Sequence, residues 1–123
     1  MTATPVILLV EPSSILQSVL HEWLQYKFEK AHVLVADNGV EALRLAAQET
    51  PSQVLVEINL PDKTGFELLH QLRHSLPTAR IVATGWYDHR FYHDRIKSSG
   101  ADGYVIWDKL ASELLPLWET AME

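Results

Sequence analysis

Two glutamates stand directly after runs of apolar residues: Glu11 after Val6-Ile7-Leu8-Leu9-Val10, and Glu57 after Val54-Leu55-Val56. Such runs read as strands buried on both faces, and an acid at a strand tip points into the crevice where open α/β sheets hold ligands. Carboxylate oxygens suit Mg²⁺ or Ca²⁺, so Glu11 and Glu57 are a candidate divalent-metal pair. Without a cation, the two acids should raise each other's pKa, with the Thr84 hydroxyl or solvent satisfying them. Two histidine pairs, His70 with His74 and His89 with His93, have the spacing that puts two imidazoles on one helix face for zinc. Neither pair has a complete ligand set, although Asp88 and Asp94 flank the second, and solvated helix faces account for both. The stretch Trp86-Tyr87-Asp88-His89-Arg90-Phe91-Tyr92-His93 carries more aromatics than one buried stripe needs. Trp86, Tyr87, Arg90, Phe91 and Tyr92 therefore form a candidate interaction surface, since exposed aromatics with arginine are typical contact anchors. Packing of Phe91 and Tyr92 on a sheet is the alternative.

The elements that must position these residues alternate along the chain. Strands are predicted at Val6–Val10, Val33–Ala36, Gln53–Ile58, Arg80–Thr84 and Gly103–Trp107. Between them lie segments of helical period. Ser14 and Gln17 form a capping-box pattern before Leu16, Leu20, Trp23 and Leu24. Asn38-Gly39 fits either a hairpin turn or a helix cap, and the period of Val40, Leu43 and Ala47 favours the helix. Further helices are predicted at Gly65–His74, at Asp88–Ser99 before Gly100, and from Ser112 onward. Pro116 sits awkwardly in the last and predicts a late start or an irregular first turn. Strands joined through helices imply right-handed crossovers and a parallel sheet covered on both faces.

The chain has 123 residues and 47% hydrophobic content, which suggests one domain over 1–123 with a single core. Its net charge of −6, with lysine and arginine scattered among acids, disfavours nucleic acid as a partner. There is no cysteine, so disulfide and thiolate chemistry are excluded and an intracellular setting is the simpler reading. No apolar run has the length of a membrane span, and Met1-Thr2-Ala3-Thr4-Pro5 lacks a leader pattern. A cytoplasmic protein without a membrane partner is the expectation.

Four segments together resemble the receiver domain of bacterial response regulators, a likeness spanning roughly Val6 to Met122. They are Val6-Ile7-Leu8-Leu9-Val10-Glu11, Asp37-Asn38-Gly39-Val40-Glu41-Ala42-Leu43, Glu57-Ile58-Asn59-Leu60-Pro61-Asp62-Lys63-Thr64-Gly65-Phe66-Glu67-Leu68-Leu69, and Gly100-Ala101-Asp102-Gly103-Tyr104-Val105. The resemblance implies a (βα)5 flavodoxin-like fold with strand order 2-1-3-4-5. It also implies phosphoryl transfer from a partner kinase's histidine to an aspartate at the end of the third strand. Mg²⁺ would be held by an acidic pair after the first strand, by that aspartate, and by the carbonyl two residues beyond it. A lysine ending the fifth strand, a threonine or serine ending the fourth, and an aromatic on the fifth complete the family's site.

Position by position, Glu11 fills the first acidic place, Asn59 the carbonyl place, Thr84 the hydroxyl place and Tyr104 the aromatic place. Three places depart from the pattern. Pro12 replaces the second acid, Glu57 replaces the acceptor aspartate, and Trp107 replaces the lysine. The Glu57 carboxyl reaches about 1.5 Å further than an aspartate would. Lys109, two residues beyond Trp107, is a substitute cation only if its stem reaches back; a solvated loop lysine is the simpler reading. The expectation is a degenerate pseudo-receiver that is not an enzyme and needs no cofactor, a weak Mg²⁺ site at Glu11 and Glu57 being the alternative. It would act through phosphorylation-independent contacts with signalling proteins or a fused output domain, or as a homodimer. Two other readings stand beside it: a phosphate-accepting regulator with an altered site, and a small-ligand sensor using the same pocket with Trp86 and Trp107 as walls.

Overall fold

A computed structural model describes residues 4–122; the leader reading at Met1-Thr2-Ala3 concerns residues outside that range. The elements are β1 Val6–Val10, α1 Ser14–Lys27, β2 His32–Ala36, α2 Gly39–Glu49, β3 Gln53–Glu57, α3 Gly65–Ser75, β4 Arg80–Gly85, α4 Arg90–Ser98, β5 Gly103–Ile106 and α5 Leu110–Met122, with a 3₁₀ turn Trp107–Lys109 before α5. The strands make one sheet in the order β2-β1-β3-β4-β5, and every neighbouring pair is parallel. This is the flavodoxin-like α/β topology that the alternating pattern and the resemblance imply.

Side-chain alternation along the strands divides the core into two layers. Leu8, Val10, Val54, Val56, Ile81 and Ala83 face α2, α3 and α4, where Ala42, Ala46, Leu68, Leu72 and Ile96 cover them. Ile7, Leu9, Leu55, Val82 and Val105 face the other side, under Leu20 and Leu24 of α1 and Leu114 and Trp118 of α5. The central strands are thus apolar on both faces, and the polar crevice is confined to their C-terminal ends.

Several boundaries differ from the sequence reading. The cap of α1 is Ser13, not Ser14: its hydroxyl accepts the Leu16 N–H at 3.3 Å, while the Gln17 side chain donates to the Glu11 carbonyl at 3.0 Å. Asn38 does cap α2, accepting the Glu41 N–H at 2.8 Å. The buried positions of α2, however, are Ala42 and Ala46, small enough to let the helix lie close to the sheet, while Val40 is 65% exposed. Helix α4 starts at Arg90 instead of Asp88, because the His89 imidazole Nδ1 accepts the Phe91 N–H at 3.0 Å and so serves as its cap. Strand β5 ends at Ile106, and Trp107 opens the 3₁₀ turn. Helix α5 starts at Leu110, not Ser112; the Ser112 hydroxyl donates to the Lys109 carbonyl at 3.2 Å. Pro116 is therefore an interior residue, lacking the N–H that would meet the Ser112 carbonyl. The late start expected from Pro116 is thus not found, and the 3₁₀ turn Trp107–Lys109 is a separate element ahead of the helix.

Candidate functional site

The C-terminal ends of β1, β3, β4 and β5 bring together Glu11, Glu57, Thr84 and Trp107. Register places Glu57 beside Thr84 on neighbouring strands. Glu11, Glu57 and Thr84 are buried, at 2%, 5% and 1% exposure. Because the chain turns at Trp107, its indole folds back over the crevice. The indole Nε1–H donates to Glu57 Oε2 at 3.0 Å, and the Asn59 backbone N–H donates to Glu57 Oε1 at 3.1 Å. Both carboxyl oxygens of Glu57 are thus engaged by neutral donors. Trp86 stacks on Trp107 with ring centroids 5.7 Å apart and planes at 26°, closing the crevice from outside.

Glu11 is held differently. Its Oε2 accepts the Ser13 N–H at 2.9 Å, while its Oε1 is buried without a hydrogen-bond partner, as is the Thr84 hydroxyl. The expectation that Thr84 would satisfy the acids is therefore corrected: the indole of Trp107 and the amide of Asn59 take that place for Glu57. Burial pushes the Glu11 carboxyl up to about 7, with the Glu57 charge adding to the rise and the Ser13 bond opposing it. Burial likewise raises Glu57, against its hydrogen bonds to Asn59 and Trp107. The direction matches the sequence expectation, but burial is the main cause at both acids, and the neighbouring charge contributes at Glu11. A proton on Glu11 also lowers the cost of leaving an orphan carboxylate oxygen in a dry site.

This donor set is a poor match for a divalent cation. Such a site favours free oxygen ligands in number, whereas Pro12 offers no carboxylate and both Glu57 oxygens already accept N–H groups. Lys109 is exposed in the 3₁₀ turn and makes no ion pair among the described residues. Among the described residues no group of three or more metal-ligating side chains occurs. His93 Nε2 lies 2.7 Å from Asp88 Oδ1, and His89 caps α4, so that histidine pair has local structural partners.

The aromatic stretch is partly exposed and partly structural. Trp86, Tyr87 and Phe91 are 61%, 60% and 57% exposed. Tyr92 is half-buried in the core, stacked between Tyr87 at 5.7 Å and Tyr104 at 6.4 Å. Tyr104 is buried, and its hydroxyl donates to the Tyr87 carbonyl at 2.8 Å. A Cβ at Gly85 would stand 2.7 Å from that hydroxyl, so only glycine admits the ring there. Sequence reasoning missed Asp62, which spans the loops by accepting the Gly39 and Val40 N–H groups at 2.8 and 3.0 Å. Nothing local in the sequence signals that long-range cap.

Residues 7–115 match the family Response regulator receiver domain. The chain is 33% identical over 86 residues to the transcriptional regulatory protein MctR of Rhizobium johnstonii, covering 70% of this chain and 39% of MctR. It is 29% identical over 99 residues to the chemotaxis protein CheY of Halobacterium salinarum, covering 80% of this chain and 81% of that protein. It superposes with a TM-score of 0.84, at 25% identity, on a Burkholderia pseudomallei response regulator whose structure holds a phosphorylated aspartic acid, a calcium ion and citrate; the match covers 96% of this chain and 69% of that one. The chain thus spans less than half the length of MctR. No helix among the described residues is long and apolar enough to cross a membrane.

Two outcomes follow from this geometry. An acid with a higher pKa folded than unfolded binds more protons in the folded state, so stability falls as pH rises from about 4.5 toward 7 and the loss is complete above that. Chemical denaturation should show Glu11→Gln flattening this slope and raising stability above pH 7; a slope and midpoint equal to those of the parent chain would contradict the buried-proton account. Trp107→Phe removes the indole donor and strands Glu57 Oε2, which should cost about 1–3 kcal/mol in the same measurement. A loss below about 0.5 kcal/mol would show that the bond carries little.

Proposed function

Since the chain belongs to the response regulator receiver domain family, we propose that it is a pseudo-receiver, a non-enzymatic signalling domain over 1–123 that acts without being phosphorylated. The observation that carries this reading is the 3.0 Å bond between the Trp107 indole and Glu57. The family's reaction calls for a nucleophilic carboxylate, a metal ion and a facing cation. Here the carboxyl at the acceptor place is one carbon longer, has a raised pKa and is covered by an indole. Pro12 leaves one metal-ligand place without a carboxylate, and both Glu57 oxygens and one Glu11 oxygen are already taken by N–H donors. These features together disfavour the phosphate-accepting reading. The stacked Trp86–Trp107 pair covers the crevice from outside, which disfavours a small-ligand pocket there.

A site that gains no phosphoryl charge holds one arrangement of the surface instead of exchanging two. Tyr104, buried under Tyr92 and tied to the Tyr87 carbonyl, supports that reading. The exposed surface of Trp86, Tyr87, Arg90 and Phe91, backed by Tyr92, is then the contact for a signalling protein, a fused output domain or a second copy of the chain. A cytoplasmic setting accords with this role.

Incubation with acetyl phosphate and Mg²⁺, followed by intact mass measurement, should show no added phosphoryl group, and calorimetry should show no micromolar Mg²⁺ binding. Stoichiometric phosphorylation mapped to Glu57 would overturn the reading. Affinity capture from the cell of origin should recover a partner with the parent chain and lose it with the Trp86→Ala, Tyr87→Ala variant; equal recovery by both would clear this face.

A further inference from the structure

The opposite end of the sheet carries a second polar cavity, of about 440 Å³, lined by Arg73, Thr78, Arg80, Lys97, Gly100 and Asp102 among others. It lies where β4 and β5 begin, so the four steps of β4 from Arg80 to Thr84, roughly 13 Å, separate it from the Glu57 crevice. Three cationic side chains meet one carboxylate here, in a chain whose net charge is −6.

The floor of the cavity is built. Arg73 donates to the carbonyls of Gly100 at 2.8 Å, Leu76 at 3.1 Å, Pro77 at 3.2 Å and Ala79 at 2.8 Å, and to Asp102 Oδ2 at 2.9 Å. That oxygen also accepts the Ile81 N–H at 2.8 Å. Gly100, at φ +112, turns the chain over Arg73, and a Cβ there would stand 2.8 Å from Arg73 Cβ. Arg73 and Asp102 are therefore fixed and largely satisfied by each other and by the carbonyls at the end of α3.

The other two cations are not. Arg80 makes a single long contact, NH1 to Asp102 Oδ1 at 3.4 Å, and its side chain is 33% exposed. Lys97, exposed in the last turn of α4, has no side-chain hydrogen bond or ion pair among the described residues. The C-terminal dipole of α4 favours a cation there, but the ammonium reaches none of its carbonyls. Arg80 thus presents a planar set of donors and Lys97 a point charge on one cavity, an arrangement suited to phosphoryl oxygens.

We infer that this cavity is a binding site for a small phosphorylated anion, with Arg80 and Lys97 as its ligands and Arg73 and Asp102 as the frame that aims Arg80. The inference is independent of the Glu57 crevice and of whether the domain is phosphorylated.

Titration of the parent chain with inorganic pyrophosphate and with glycerol 3-phosphate, at constant ionic strength set by chloride, tests it by amide chemical shifts. Saturable shifts centred on Thr78, Arg80, Lys97 and Gly100 are expected with at least one probe. Lys97→Gln, an exposed change that leaves the frame intact, should weaken binding severalfold, and Arg80→Gln with Lys97→Gln should weaken it by about tenfold or more. Thermal midpoints of the variants confirm that they remain folded. Shifts that do not saturate, that spread over unrelated lysines, or that persist unchanged in Lys97→Gln would overturn the assignment.

Discussion

The hydrogen bond from the Trp107 indole to Glu57 joins the ends of β3 and β5 across the intervening β4, and much of the crevice is arranged around it. An ammonium at that place would bring a full positive charge and hold a facing carboxylate ionised. An indole brings only a dipole. It lowers the Glu57 pKa, together with the Asn59 amide, yet burial still prevails and the net direction is upward. The extra methylene of glutamate and the wide, planar indole fit one another: the longer acid reaches outward and the ring covers it. Substituting one without the other would leave either a buried unpaired carboxyl or an indole N–H without an acceptor.

The same contact links the crevice to the surface. Trp107 supports Trp86, the next residue along is Tyr87, and the Tyr87 carbonyl holds the Tyr104 hydroxyl. Tyr92 lies between the rings of Tyr87 and Tyr104, and the edge of His93 packs on Tyr104 at 5.0 Å. Burial pushes the Tyr104 hydroxyl up to about 12, so it stays a neutral donor. These rings form one packed unit running from a buried acid to exposed aromatics. In a close-packed interior, such a unit does not deform gradually, and on the proposed reading it holds the surface in one state.

How much of this was legible follows the range of the interactions. The apolar runs ending in Glu11 and Glu57 placed both acids correctly at the strand tips, because burial on two faces writes a continuous signature. Asn38 as a cap was readable for the same local reason. The phase of α2 was not, since Ala42 and Ala46 are buried by close approach to the sheet instead of by size. The end of β5 at Ile106 and the cap at His89 depend on where Trp107 and α4 must go. The family resemblance implied that Trp107 stands opposite Glu57, but not that its N–H points at the carboxyl. Thr84 as the partner of the acids was the wrong choice: chemistry allowed it, and geometry gave the bond to the indole. Asp62, Arg73 and Asp102 act across distances that no local pattern reports.

The most direct measurement of the central contact is the indole N–H of Trp107, followed by NMR. The account predicts one downfield, slowly exchanging resonance that moves in Glu57→Gln and stays in place when Mg²⁺ and acetyl phosphate are added. A resonance exchanging as fast as a solvent-exposed indole, or one shifted by those additions, would contradict it.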